Sequence, residues 1–185
     1  MSKVNEKARK AWLMAHDQPP QSYFVRRLML ADEPAMVAII GTARLEYGVQ
    51  SRMQSLLEPS DLDLYTTYQE PRSDYFVATH AGVPAGGGGI APLAGASEEI
   101  CELQRMYVSP HHRGKGVGQL LLDECMRRAA NLRFRKCYAE TISEMKGAIR
   151  FYEANGFRRL GAPLGSCRDD FVDCWLLRDL NGGSQ

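Results

Sequence analysis

The chain has 185 residues, 44% hydrophobic and 24% charged, which is about one domain's length and enough apolar content to bury a core. Lys and Arg total 23 against 22 Asp and Glu, so the net charge of +1 argues against bulk binding to nucleic acid or to an anionic membrane, and any anion site must be local. No apolar run approaches the roughly 18–20 residues of a membrane span.

Residues 1–21 carry Lys3, Lys7, Arg9 and Lys10 with no long apolar stretch behind them and close on Pro19-Pro20; they read as an arm ahead of a domain spanning 22–180. Tyr23–Met29 has the β-branched and aromatic content of a strand, and Asp32 with Pro34 opens a helix to about Tyr47, its inward stripe expected at Val37, Ile40 and Tyr47. Leu62–Tyr68 is a shorter helical piece. Asp74–His80, the turn Ala81-Gly82 and Val83–Leu93 form a hairpin whose return strand holds Gly86–Gly89, a run that marks a bulge or the close approach of a ligand or neighbouring backbone, with a bend or close packing as the plainer reading. Glu98–Val108 is a strand that would place Ile100, Glu102, Gln104 and Met106 on one side. Val117, Leu121, Cys125 and Ala129 recur every four residues beside Leu122 and Met126, an amphipathic helix. Lys136–Thr141 is a strand, Ser143 caps a helix through Asn155, Gly156 supplies its left-handed end, and Asp170–Leu177 is a last strand. With no internal repeat and no break in composition, the pattern is one α/β domain of hairpins followed by a strand-helix-strand unit.

Cys101, Cys125, Cys137, Cys167 and Cys174 are odd in number and contain no CxxC pair, so they read as reduced thiols in a cytoplasm. His16 and His80 have no partner at metal-ligand spacing, and no metal site is expected. His111 and His112 read as exposed loop residues, and Arg127, Arg128, Arg133, Arg135 and Lys136 as a solvated basic face.

The stretch from Met106 to Gly118 leads a strand through a glycine-rich turn into a helix, whose first turn offers unpaired N–H groups and a partial positive charge. Gly114, Gly116 and Gly118 let the backbone approach a phosphate, and Arg113 and Lys115 add charge. The spacing satisfies neither the Walker loop nor the dinucleotide fingerprint. The Arg-x-x-Gly-x-Gly pattern of Arg113, Gly116 and Gly118 resembles the pyrophosphate signature of the GNAT superfamily of acetyl-CoA-dependent N-acetyltransferases. Tyr138–Thr141, then Ala148, Tyr152 and Gly156-Phe157, resemble that superfamily's later motif; together the two blocks cover roughly residues 98–158.

The resemblance implies an α/β (α+β) domain with a mixed, mostly antiparallel sheet, splayed between strands four and five and flanked by helices. It implies acetyl-CoA as co-substrate, held by Met106, Tyr107, Val108, Arg113, Gly114, Lys115, Gly116, Val117, Gly118, Thr141, Ala148 and Tyr152. Many members carry Asn at the position of Met145, so Met145 is left outside that set. An amine with a pKa near 10 must lose a proton before it attacks a thioester. Glu102 is the candidate base, its alternative being a surface ion pair with Arg105 or another basic group; Tyr152 matches the superfamily's general acid, its alternative being a packed core tyrosine. The acceptor pocket would be built from about 32–68 and 161–174, with a small amine or amino acid as the first choice of acceptor. A protein lysine or N-terminal acetyltransferase and a silent acyl-CoA-binding sensor are the alternatives. A homodimer through the C-terminal strands is compatible with the resemblance, with Phe171, Val172 and Trp175 offering apolar contact.

Overall fold

The computed structural model describes residues 22–48, 61–166 and 172–180. The expected arm, Cys167 and Phe171 lie outside the described residues. Seven strands form one sheet in the order β1-β2-β3-β4-β5-β7-β6: β1 (Tyr23–Arg27), β2 (Asp74–His80), β3 (Val83–Pro92), β4 (Ile100–Val108), β5 (Lys136–Thr141), β6 (Arg158–Leu160) and β7 (Cys174–Asp179). Every neighbouring pair is antiparallel except β4 and β5. The helices are α1 (Glu33–Glu46), α2 (Leu64–Thr67), α3 (Val117–Asn131) and α4 (Lys146–Ala154). The hairpin turn sets Ala81 at φ +49° and Gly82 at φ +81°, the paired left-handed geometry that matches strand twist.

The two faces of the sheet bury different clusters. On one, Leu121, Leu122, Cys125, Met126 and Ala129 of α3 pack with Ile149 and Tyr152 of α4 against Phe76, Ile90, Cys101 and Leu103. On the other, Met36 and Ile40 of α1 and Leu64 of α2 pack with Tyr68, Tyr75 and Val77. A smaller cluster of Leu93, Tyr138 and Leu177 takes in Trp175, which packs within its own chain.

Several boundaries differ from the sequence expectation. The buried stripe of α1 is Met36, Ile40, Ala43 and Arg44, with Val37 and Tyr47 only half-buried. α4 starts at Lys146, because Ile142–Met145 closes a turn first (Met145 N–H to the Ile142 carbonyl, 3.0 Å) and the Ser143 N–H bonds the Asp173 carboxylate. The short β6 lies beyond Phe157, where no strand was expected, and the last strand begins at Cys174 rather than Asp170.

The Gly86–Gly89 run is close packing around a bulge. A Cβ on Gly87 would lie 2.6 Å from the Tyr75 ring and 2.8 Å from the Met36 methyl, and one on Gly89 2.6 Å from the Tyr68 ring. Among the described residues, no helix is long and apolar enough to cross a membrane.

Candidate active site

β4 and β5 pair only at Ile100 with Lys136, Cys101 with Cys137 and Glu102 with Tyr138. Beyond Glu102 and Tyr138 the strands continue without pairing to Val108 and Thr141, which opens a wedge. β4 itself bulges there: Gly87 pairs with Tyr107 and Gly89 with Gln104, so Arg105 and Met106 together oppose Gly88. Arg105 adopts φ +48° to make this possible. The bulge corrects the expected alternation. Gln104 stays on the α2 face, accepting from the Tyr68 hydroxyl at 3.0 Å, while Met106 turns to the α3 face and packs with that core. Because the Ser109 N–H donates to the Ala85 carbonyl (2.9 Å), alternation along β4 directs the peptide groups of Met106 and Val108 toward the wedge.

From Val108 the chain makes a single tight turn over Pro110–His112 and enters α3 through Gly114 at φ +70° and Gly116 at φ +81°. A Cβ at either glycine would meet nothing within 4 Å, so the loop presents bare backbone. The first bond of α3 runs from the Leu120 N–H to the Gly116 carbonyl, which leaves the N–H groups of Val117, Gly118 and Gln119 without helical acceptors. The Arg113 Nε donates to the Val108 carbonyl at 2.9 Å, and its guanidinium reaches Glu46 at the end of α1 at 2.7 Å.

The wedge and the loop open into one cleft of about 540 Å³, whose walls are Met106, Tyr107 and Val108 of β4, Arg113, Gly114 and Gly116 of the loop, Gly118 and Gln119 of α3, Ala43 and Tyr47 from α1, and Met145, Gly147, Ala148, Phe151 and Tyr152 around α4. Four expected site residues do not line it. The Val117 side chain is buried beneath the loop, Lys115 is exposed beside it, and Thr141 donates to the Met145 sulfur at 3.4 Å. Glu102, the fourth, is 6% exposed on the α2 face and accepts from the Gln104 amide at 2.5 Å.

Among the described residues Glu102 forms no ion pair with Arg105 or another basic group, and it is buried rather than at the surface. Arg105 instead bonds Asp61 through Nε at 2.5 Å, and Asp61 also holds Arg44 of α1. The Arg105 guanidinium contacts the Tyr68 hydroxyl at 3.4 Å, so Glu102, Gln104, Tyr68, Arg105, Asp61 and Arg44 form a buried polar chain. Burial alone would lower the Arg105 pKa, but interactions with Tyr68 and Asp61 outweigh it and the guanidinium is held charged. Burial pushes the Tyr68 phenol up to about 12.

Met145, set aside on the sequence, is a cleft residue, as are Ala43, Tyr47, Gln119, Gly147 and Phe151. The Tyr47 position could not be read, because only the tertiary packing of α1 brings its end over the wedge. Phe151 had a signal in its adjacency to Tyr152. The Tyr152 ring packs at 5.7 Å from Phe151 and 5.4 Å from Phe157, centroid to centroid; burial, with Tyr107 adding, raises its pKa well above a free phenol, so it holds its proton at neutral pH.

His112 is half-buried rather than exposed, its Nδ1 3.0 Å from the Tyr23 hydroxyl, and burial together with Lys115 and the neighbouring His80 and His111 lowers its pKa. The basic face is partly paired: Arg127 with Glu124, Arg128 with Asp74 and Arg135 with Glu99. Among the described residues no cluster of three or more His, Cys, Asp or Glu is placed to hold a metal ion.

Residues 43–157 match the profile of the acetyltransferase (GNAT) family. The uncharacterized N-acetyltransferase YjgM of Escherichia coli K12 is 40% identical over 164 residues, covering 87% of this chain and 97% of its own. The N-alpha-acetyltransferase RimI of Mycobacterium tuberculosis is 28% identical over 60% of this chain and 69% of its own. In three dimensions, a GNAT-family acetyltransferase of Staphylococcus aureus Mu50 superposes with a TM-score of 0.76 at 18% identity, covering 86% of this chain and 99% of its own. Salmonella typhimurium yncA, solved with its cofactor acetyl-CoA, gives 0.70 at 20% identity, covering 88% and 96%. A splayed β4–β5 pair, a bare glycine loop capping α3 and these matches lead to one assignment: the chain belongs to the acetyltransferase (GNAT) family and is an N-acetyltransferase.

Proposed function

We propose that the enzyme transfers the acetyl group of acetyl-CoA directly to a primary amine of a small molecule or amino acid, with no acyl-enzyme intermediate. The observation that carries this is the continuity of one cleft from the bare Gly114–Gly116 backbone at the α3 N-terminus to the unpaired edge of β4. Pyrophosphate would sit on the N–H groups at Gly116, Val117 and Gly118, with Arg113 and Lys115 adding charge, and the pantetheine arm would pair with Met106 and Val108 as an added strand, passing Ala148 and the Thr141 end of β5.

In this reading the amine nitrogen attacks the thioester carbonyl carbon, and a β4 N–H beside the bulge stabilises the growing oxyanion. The amine proton passes through water to Glu102, whose backbone is the last β4 position paired with β5 and whose carboxylate is buried beside Gln104. Collapse of the intermediate breaks the carbon–sulfur bond, and Tyr152, protonated and on the cleft wall, gives its proton to the leaving thiolate. The similarity to RimI supports a protein N-terminus as the second class of acceptor. A homodimer has the family resemblance as its only support, and light scattering of the full chain tests it. A cytoplasmic location is supported by the unpaired cysteine spacing.

Release of free CoA thiol across amines, amino acids, aminoglycosides and amino-terminal or lysine peptides tests the proposal. We expect turnover with one small-amine class and a kcat roughly 100-fold lower in Tyr152→Phe and Glu102→Gln, with acetyl-CoA binding retained. Binding without turnover on any amine overturns it.

A further inference from the structure

We infer that Asp61 is a positioning residue: its buried carboxylate clamps the Arg105 bulge of β4 to α1 and thereby aims the strand's peptide groups into the wedge. The inference deepens the transfer reading above and rests on it for its kinetic consequence.

Left-handed backbone is unfavourable for a residue with a side chain and persists only where its surroundings hold it. Arg105, at φ +48°, is held from both ends. Its carbonyl accepts from the Tyr75 hydroxyl at 3.0 Å, and its guanidinium, 6% exposed, bonds Asp61 and contacts Tyr68. Asp61 is fully buried, and its second oxygen takes Arg44 of α1. One carboxylate therefore ties the bulge to the helix whose Ala43 and Tyr47 line the cleft. The same carboxylate joins the two flanks of residues 49–60, within the stretch the transfer reading gives to the acceptor. Loss of the clamp would let Arg105 relax toward ordinary strand geometry, which returns Met106 to the face of Gln104 and withdraws its peptide group from the wedge.

Asp74 provides a matched control. It too is a buried carboxylate bridged by two arginines, Arg27 (Nε to Oδ1, 3.1 Å) and Arg128, but it touches neither the bulge nor the cleft. Full-length Asp61→Asn and Asp74→Asn are compared with the wild type by thermal melting, calorimetric acetyl-CoA affinity, kcat on the accepted amine, and deuterium exchange of the 103–108 amides. We expect both to lose Tm. Only Asp61→Asn should speed exchange over 103–108, lower kcat about 100-fold, the size of an ångström-scale misplacement, and weaken acetyl-CoA binding about fivefold, the loss of the Met106 pairing to the pantetheine arm. If Asp61→Asn does not fold, Arg105→Lys, which keeps the charge but loses the planar fork, takes its place with the same pattern expected. Unchanged exchange over 103–108, or a kcat that falls in proportion to Tm in both variants, overturns the inference. A wild type that turns over no amine overturns the transfer reading instead, and the exchange data still decide the clamp.

Discussion

Gly87 admits no side chain because three groups from two elements meet on it: the Tyr75 ring and Phe76 carbonyl of β2 and the Met36 methyl of α1, at 2.6, 2.9 and 2.8 Å from the position of an added Cβ. The carbonyl is backbone and cannot swing aside, so Gly87→Ala overpacks the α1 face. Thermal or urea unfolding should show a loss of about 1–3 kcal/mol. The glycine run had been legible as close packing or a bend, and both occur, since Gly88 also faces the bulge. The run also pointed to a bulge, and one lies opposite Gly88, but that its extra residue falls on β4 at Arg105 was not legible. A single extra residue breaks a period of two without altering the residue types that signal a strand, so Met106 was assigned to the wrong face. Nor could the partner of Arg105 be read: Asp61 lies 44 positions away in sequence, and nothing local marks the two as a pair.

At the level of elements, the periodicity of α3 gave its buried face residue for residue, and the glycines gave its entry turn, because both signals are local and repeat. The joint between β1 and α1 depends instead on one ion pair. Arg26 forks onto Asp32 at 2.6 and 2.8 Å, and the same carboxylate accepts the Met29 N–H at 2.9 Å. The Arg26 hydrogen bond is the main cause that holds the Asp32 carboxyl below its ordinary value near 3.8; burial opposes it, and the Met29 N–H and the Arg26 charge assist. A depressed carboxyl stabilises fully above its unfolded value and loses that contribution as pH falls through the folded one. Asp32→Asn should therefore cost about 1 kcal/mol at neutral pH, given the part-exposed arginine, and the gap between variant and wild-type melting curves should close below about pH 4.

For the whole molecule, the consequential feature is that the sheet's two halves share only the short β4–β5 ladder. Acetyl-CoA seated in the wedge would supply pairing that the protein lacks, and a ligand that binds only the folded form stabilises by mass action. At about 100 times Kd this amounts to about 2.7 kcal/mol, and for a chain of this length it should raise Tm by roughly 5–11 °C. Gly116→Glu places a carboxylate where the pyrophosphate would lie, on a position with open space but left-handed backbone. It should abolish the shift while costing some stability in the free protein, which differential scanning of both proteins with and without acetyl-CoA would measure.

The described thiols have a chemical consequence for an enzyme that works beside a thioester. Any thiolate on its surface would exchange with acetyl-CoA and become acylated in an uncatalysed side reaction, since the thiolate is the attacking species. Cys101, Cys125, Cys137 and Cys174 are all buried, and burial pushes the thiols of Cys125, Cys137 and Cys174 up, away from the ionised form. Cys125 lies in the same core as Met106 of the cleft wall, yet its sulfur faces the Gly88 carbonyl inside the protein. Among the described residues, the fold keeps its own sulfur chemistry silent where its co-substrate's is most exposed.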